Sequence, residues 1–451
     1  MKNLSLKNII TACGGTFYGD EGALLLEVSA IVRDNRHVTS GALFAAIKGE
    51  KVDGHDFAAA AIADGALCIL AQRRPEGFEG NIILVPNTQT ALREIAKFYR
   101  QGFDIPIIGI TGSVGKTTVK EMLSAVLSQR FVVHKTAGNL NNELGVPLTL
   151  FGLEASHTAA VIEMGISDFG EMRRLGEMVC PSHAVITNIG SAHLERLGDK
   201  QGVLKAKSEI LENLAPDGKV FINGDDPLLM GLEASHEKVT FGLSQSCDVR
   251  AFNVRTNEDG TTACTIRCAG WEEEIKIPAY GDHMVYAVLS AWAVAAQLGL
   301  SADEIKNGIL SYEPMSGRSR VLKRGSITII DDCYNANPTS VMAAMRSLSR
   351  LPGRHICILG DMNELGEASA ELHFETGTFA RASGAALVLL TGEMSRSTAR
   401  GAGDVAIFFE DRAQLIKSLE NTINPGDTVL VKASHSCAFE EIVSALLSLE
   451  L

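Results

Sequence analysis

A three-domain α/β architecture is what this 451-residue sequence predicts, and three observations predict it. The chain is longer than one hydrophobic core organises and suits about three domains at ~150 residues each. From Ile105 onward, short β-branched runs are repeatedly followed by a turn and then by apolar residues at helical spacing, the pattern of a mostly parallel sheet covered by helices. Hydrophobic residues make up 46% and charged residues 21%, as in an ordinary globular protein.

The elements follow in order. Residues 1–104 alternate short apolar runs (ALFAAIKG, ALCILA, NIILV) with Gly-rich turns, so a small N-terminal α/β domain is expected, with a helix over Ala58–Ala66 and a strand at ALCILA. Residues 105–314 form the central domain. IPIIGIT, FVVHK, AAVIEMG, HAVITNIG and KVFINGDD each read as a strand entering a turn and a helical stretch. Residues 247–279 alternate instead and carry a turn signal at Asp259-Gly260, which predicts an inserted antiparallel meander. Two helices, Met284–Leu298 and Ala302–Leu310, close this domain, and EPMSGRSR, rich in Pro, Gly and Ser, is the linker and hinge. Residues 315–451 repeat the α/β rhythm through SITIID, HICILGD, ALVLLTG, VAIFF and TVLVKAS, a Rossmann-like C-terminal domain.

Composition excludes several function classes. With 41 basic and 54 acidic residues the formal charge is −13, a poor match to the phosphate backbone of nucleic acids. Nine dispersed cysteines contain no CxxC, and the closest pair is Cys264 and Cys268, which argues for a reducing compartment over a disulfide framework or zinc site. MKNLSLKNIITACGG lacks a sustained apolar segment, so no signal peptide is expected. The apolar stretch Ala287–Leu300 is too short to span a bilayer. A cytoplasmic monomer without membrane insertion is expected.

The strongest motif is ITGSVGKTT, which follows a strand and opens a helix, the context that makes a phosphate loop credible. Gly112 and Gly115 let backbone amides, including those of Ser113 and Thr118, approach phosphate oxygens at a helix N-terminus. Lys116 would reach the terminal phosphates, and Thr117 would offer its hydroxyl to magnesium. The central domain is therefore expected to be a P-loop ATPase domain using ATP and Mg2+. Gly109 stands one residue ahead of Ile110, where the general pattern has its first glycine. Glu163 ends one later strand and His193 follows another, and ligands of parallel sheets gather at such carboxyl ends. A carboxylate suits magnesium as a hard oxygen ligand, imidazole less so. Taken alone, Glu163 reads equally as a helix cap and His193 as a hydrogen-bonded loop residue.

TGSVGKTT, NIGSAHLERLGDKQGVLKAKSEI, NGDDP, DDCYNANP and GDMNELG together resemble the Mur ligases, from the region of Asp34 almost to the C-terminus. The early glycine before the phosphate loop is a trait of that family. GNLNNELGVPLTL and DDCYNANPTS are similar to the branch that joins D-alanyl-D-alanine to UDP-N-acetylmuramoyl-tripeptide. The resemblance implies that the first domain holds the UDP part of the substrate, the central one ATP, and the third the dipeptide and the nucleoside. It implies magnesium ligation by Glu163 and His193. It also implies a lysine carbamate fourteen residues after the histidine, at Lys207. Lys205 competes for that role, and a solvated basic helix face is the reading that requires neither. Further implied positions are Asp332 at the ribose, Tyr334 and Asn335 beside the nucleotide, His283 near the base, and Arg318 near the γ-phosphate. Asp34, Arg36, Lys48, Asp53 and His55 would face the uridine nucleotide, although the Gly-Asp-His turn equally reads as structural. Asn139 and Asn142 would face the muramoyl peptide, with Asn337 and Lys432 on the substrate side of the third domain.

The sequence departs from the family pattern in two places. Met284 and Ala287 replace asparagines after His283, which bears on base recognition. Ala433 and His435 replace Gly and Arg, and an imidazole is a weaker, pH-dependent carboxylate partner than a guanidinium. Rival readings are a Mur ligase adding one amino acid, a folylpolyglutamate synthase, and an ATPase switch without ligase chemistry. TGEMSR stands where the first carries DNPR, and the second lacks DDCYNANP and GNLNNELG.

Overall fold

Three separate sheets organise the chain in the computed structural model, which describes residues 1–49, 51–257 and 260–449. Each is wrapped by helices, as the alternating pattern demands.

The first sheet has five strands between Thr16 and Leu84, parallel except at Thr16–Tyr18. The helix Ala58–Ala63 is shorter than expected, because Asp64 caps it and Gly65 leaves the helix at φ +102°, a value suited to glycine. The helix Thr88–Arg100 then leaves this unit and packs on the next. Tyr99 donates its hydroxyl to the carbonyl of Leu153 at 2.7 Å, and Arg100 Nε donates to Val179 O at 2.8 Å. One continuous apolar cluster contains Ile9, Leu70 and Ile95 together with Leu150, Met172 and Ile186. The first and second units thus share a core.

The second sheet has nine strands, parallel from Val133–Lys135 at one edge through Ile107–Thr111 and His183–Ile186 to Val249–Thr256. The expected antiparallel meander is present, and its place in the sheet is the new finding. Its strands Val249–Thr256, Thr262–Cys268 and Trp271–Ile277 extend the parallel sheet rather than interrupting it. The join is the strand Glu237–Gly242, whose run of exposed charges hid it from a hydrophobic reading. Asp259, half of the expected turn, lies outside the described residues. His283–Gln297 and Ala302–Leu310 pack against the helix Lys116–Leu127 and cover the other face of this sheet, with Val288, Trp292 and Leu123 in one cluster.

The third sheet has six strands, with Ile327–Asp331, Thr428–Lys432, His355–Leu359, Leu387–Thr391 and Ala406–Phe409 parallel. Thr428–Lys432 inserts between Ile327–Asp331 and His355–Leu359, so strand order reverses there, the place where such sheets bind ligands. An unexpected edge strand, Arg320–Arg324, starts inside the linker sequence and pairs antiparallel with Ile327–Asp331. No helix among the described residues is long and apolar enough to cross a membrane.

Candidate functional site

A cavity of about 410 Å³ opens between the second and third units, a size suited to a small ligand. Its floor is the loop between Ile107–Thr111 and Lys116–Leu127. Gly112 has φ +146°, and a Cβ there would stand 1.9 Å from Thr187 Oγ1, so the loop needs glycine for both conformation and space. The loop is clamped from the next strand end. Asn188 Oδ1 accepts from Val114 N–H at 3.0 Å, and Ser113 Oγ accepts from Gly190 N–H at 2.8 Å. Gly115 begins the helix at φ +81°, and the first intrahelical bond is Val119 N–H to Gly115 O. The preceding amides of the first turn have no acceptor within the helix, a ready anion site.

Lys116 Nζ donates to Gly112 O at 2.8 Å and so folds back over the loop. Burial, and secondarily Arg318, hold its amine below the ordinary lysine range, while Glu163 and Glu364 oppose the shift. Thr117 Oγ1 donates to Glu163 Oε2 at 2.9 Å, and Asn141 Nδ2 donates to Glu163 Oε1 at 2.8 Å. Thr136 fixes the backbone of Glu163 by accepting its N–H at 2.9 Å. Beneath them Lys120, wholly buried, donates to Thr136 O at 2.8 Å and lies 3.8 Å from Glu163.

The opposite wall comes from the third unit. Asp332 Oδ2 accepts from Lys432 Nζ at 2.6 Å, and its Oδ1 accepts from Ser319 N–H at 3.0 Å. The hydroxyl of Ser319 also meets His283 Nε2 at 2.9 Å, which ties the two units together across the cavity. His283 is held below the usual histidine range by burial. Arg318 lies 4.0 Å above the Tyr334 ring, and His435 stacks on that ring at 5.2 Å. Asn335 and Asn337 line the wall, where Asn337 also caps the helix Pro338–Leu348. At the remaining end stand Asn223, Phe241, Tyr286 and Ala287.

Two expected residues sit beside the cavity rather than on its wall. His193 has φ +57°, and its Nδ1 is 2.7 Å from Glu364 Oε2 of the third unit. Lys207 is 1% exposed, with no hydrogen bond or ion pair to its amine among the described residues. Burial, then Lys116, push that amine well below the ordinary lysine range. Lys205, two residues away, is exposed and lies over Phe169. The solvated-face reading therefore fits Lys205 and not Lys207.

None of the described residues of the first unit lines this cavity. Asp34 pairs with Arg36 at 2.6 Å and caps the short turn Asn35–His37. The backbones of Lys48 and Asp53 form an isolated antiparallel bridge, and Asp53 Oδ1 is 2.6 Å from His55 Nδ1. His55 Nε2 accepts from Gln72 N–H at 3.0 Å, so both ring nitrogens are taken up by the turn. Asn142 Oδ1 accepts from Gly145 N–H at 2.9 Å, ahead of the helix Gly145–Phe151, and neither it nor Asn139 lines the cavity. Sequence reasoning missed Asn141, Lys120, Ser319 and Glu364. Asn141 lies between the two asparagines it chose, in a loop with no periodicity to select one. Lys120 was legible in principle, since the fourth residue after Lys116 shares its helix face.

Whether these residues suit magnesium is answered by the donor set. No cluster of three or more His, Cys, Asp or Glu among the described residues forms a metal cage. A hydroxyl and a carboxylate oxygen 2.9 Å apart beside a phosphate loop are the sparse protein ligands that magnesium takes alongside phosphate and water. The residues fit.

Comparison with known proteins agrees along the whole chain. Residues 27–100 match the model described as Mur ligase family, catalytic domain; residues 110–295 match Mur ligase middle domain; residues 317–435 match Mur ligase, glutamate ligase domain. A UDP-N-acetylmuramoyl-tripeptide–D-alanyl-D-alanine ligase of Bacillus subtilis is 35% identical, over 98% of both chains. The protein of the same name from Escherichia coli is 35% identical over 99% of both. The crystal structure of MurF from Acinetobacter baumannii superposes with a TM-score of 0.92 at 30% identity, covering 98% of each chain. Phosphate loop, clamp, opposing unit and full-length likeness converge, and the chain belongs to the Mur ligase family.

Proposed function

We propose that this ligase joins the terminal carboxylate of UDP-N-acetylmuramoyl-tripeptide to the amine of D-alanyl-D-alanine, with ATP converted to ADP and phosphate, in peptidoglycan precursor synthesis. The observation that carries the reading is the full-length similarity to ligases of that name, combined with a phosphate loop facing a second unit across one cavity. A related MurF ligase from Thermotoga maritima, 28% identical with a TM-score of 0.86, was solved in complex with ADP, which supports ATP as the nucleotide.

Residues 1–104 would bind the UDP end, with Asp34, Arg36, Lys48 and Asp53 offering contacts and His55 holding the turn. Residues 105–314 would bind ATP, and residues 315–451 the dipeptide and the nucleoside. Amides of Ser113 to Thr118 and the Lys116 ammonium would hold the phosphates, with Asp332, Tyr334, Asn335 and His283 along the nucleoside. Asn139 and Asn142 would flank the muramoyl peptide, and Asn337 and Lys432 the third-domain substrate. A carboxylate repels nucleophiles, so phosphoryl transfer to it supplies a leaving group. The dipeptide amine then attacks the acyl phosphate, and phosphate departs from the tetrahedral intermediate. Lys116 and Arg318 would neutralise charge on the transferring group. Thr117, Glu163, His193 and a carbamate on Lys207 would hold Mg2+, which supplies charge neutralisation when bound. Lys207 is suited to the modification, because an unpaired buried amine held neutral is a nucleophile for CO2, and loss of one proton leaves an anionic oxygen ligand. Closure about 313–320 would exclude water from the acyl phosphate. We place the enzyme in the cytoplasm as a monomer, without nucleic-acid partners.

The test is ADP release across UDP-muramoyl-peptides of different length, crossed with alanine, D-alanine and D-alanyl-D-alanine. Turnover confined to the tripeptide with the dipeptide supports the reading. Preference for a single amino acid, or turnover without any amine, overturns it.

A further inference from the structure

We infer that Glu364 receives the ammonium group of the incoming amine donor, an inference that rests on the ligase function proposed above. Glu364 and His193 meet across the boundary between the third and second units at 2.7 Å. Both hold left-handed backbone, at φ +62° and +57°, although neither is glycine or asparagine. Such conformations are costly and persist where surrounding structure imposes them, often at functional sites.

The surrounding structure does impose it. The Glu364 loop follows His355–Leu359, at the carboxyl end of the parallel sheet. Asn363 N–H donates to Ser434 Oγ at 2.9 Å, and Asn363 Nδ2 donates to Ser436 Oγ at 2.8 Å. Gly366 packs against Glu195, where an added Cβ would lie 3.3 Å from the Glu195 Cα. A carboxylate is thereby held rigidly, yet 61% exposed, with Oε1 free of any hydrogen-bond partner among the described residues.

Its charge is the informative part. Its loop meets the second unit at His193 and Glu195, and behind the His193 contact the cations Arg196 and, on the phosphate loop, Lys116 also draw its charge. A carboxylate there opposes the phosphates and weakens their binding unless it serves a cation. Beyond the Mg2+ proposed at His193, the cationic group among the proposed substrates is the donor ammonium, which comes to rest beside the activated carboxyl group and gives up a proton before it attacks. His193 occupies one carboxylate oxygen and orients the other.

A simple closing contact between units is the rival, and Glu364→Gln separates the two. The variant keeps shape and hydrogen-bonding capacity while removing the charge. Steady-state constants would be measured for ATP, UDP-tripeptide and dipeptide, together with the inhibition constant of D-lactyl-D-alanine, in which a neutral hydroxyl replaces the ammonium. Recognition of the ammonium predicts a dipeptide KM raised at least about tenfold, with the analogue's inhibition constant and the other two KM values unchanged. A common rise in all constants, or no rise in the dipeptide KM, overturns the inference. Wild-type turnover with the dipeptide separately tests the function, and if another amine proves to be the donor the same comparison is made with that amine and its hydroxyl analogue.

Discussion

Lys120 and Glu163 lie 3.8 Å apart with almost no exposed surface on either side chain, a buried charge pair directly under the phosphate loop. Glu121, 3.0 Å from the same ammonium, and the carbonyl of Thr136 complete its surroundings. Removing the cation leaves the buried Glu163 with only the neutral donors Thr117 and Asn141, while Glu121 keeps Lys135. Lys120→Met is therefore expected to lower unfolding stability by about 3–5 kcal/mol, measured by urea denaturation. A midpoint equal to wild type would show that the pair carries no net weight.

Lys116 has a different role, because its amine only folds back on Gly112 O. Lys116→Ala should preserve the fold and cost on the order of a hundredfold or more in ADP release by removing charge stabilisation from the transferring phosphoryl group. Near-wild-type turnover in a folded variant would remove Lys116 from the site.

Lys207 and Lys205 are expected to behave oppositely. Lys207→Ala should lose most activity and regain part of it with acetate, which would fill the vacated space with a carboxylate. Lys205→Ala should be mild and indifferent to acetate, since its side chain is exposed. Activity retained in Lys207→Ala would transfer suspicion to Lys205.

Four histidines, His134, His183, His283 and His373, are held below the ordinary value of 6.5 chiefly by burial. His373 is the clearest, because Nε2 accepts from Met362 N–H at 3.0 Å while Nδ1 lies 2.7 Å from Ser369 O. The folded state then binds fewer protons than the unfolded state, so stability is fully present above 6.5 and declines as pH falls below it. Thermal midpoints should fall more steeply between about pH 6.5 and 5.5 than between about pH 8 and 7, where displaced lysines such as Lys207 contribute but the histidines do not, and before most carboxylates titrate. A flat profile over the lower window would contradict the neutral buried state.

The sequence made the phosphate loop legible because its chemistry is local, with strand, glycines, lysine and helix in one run. The parallel sheets were legible for the same reason, since strands such as Ala159–Glu163 and Thr428–Lys432 are buried on both faces and read as apolar runs. Glu237–Gly242 was not, since the exposed charges Glu237 and Lys238 at its start masked it. Asn141 and Glu364 were hidden because each gains its meaning from a partner distant in sequence: Glu163 for one, His193 for the other. Lys207 shows the reverse limit. Resemblance located it, but only burial and the absence of a partner among the described residues explain why that lysine rather than Lys205 suits the modification.

The apolar core shared by the first two units makes them one rigid block, tied further by Tyr99 and Arg100. On the function proposed above, the nucleotide-sugar anchor and the phosphate loop then stand at a fixed separation, like the jaws of a gauge. Only a peptide stem of matching length would bring its terminal carboxyl group to the loop, so the block would sort precursors by span rather than by reading each residue. Order in the assembly line would follow from a distance.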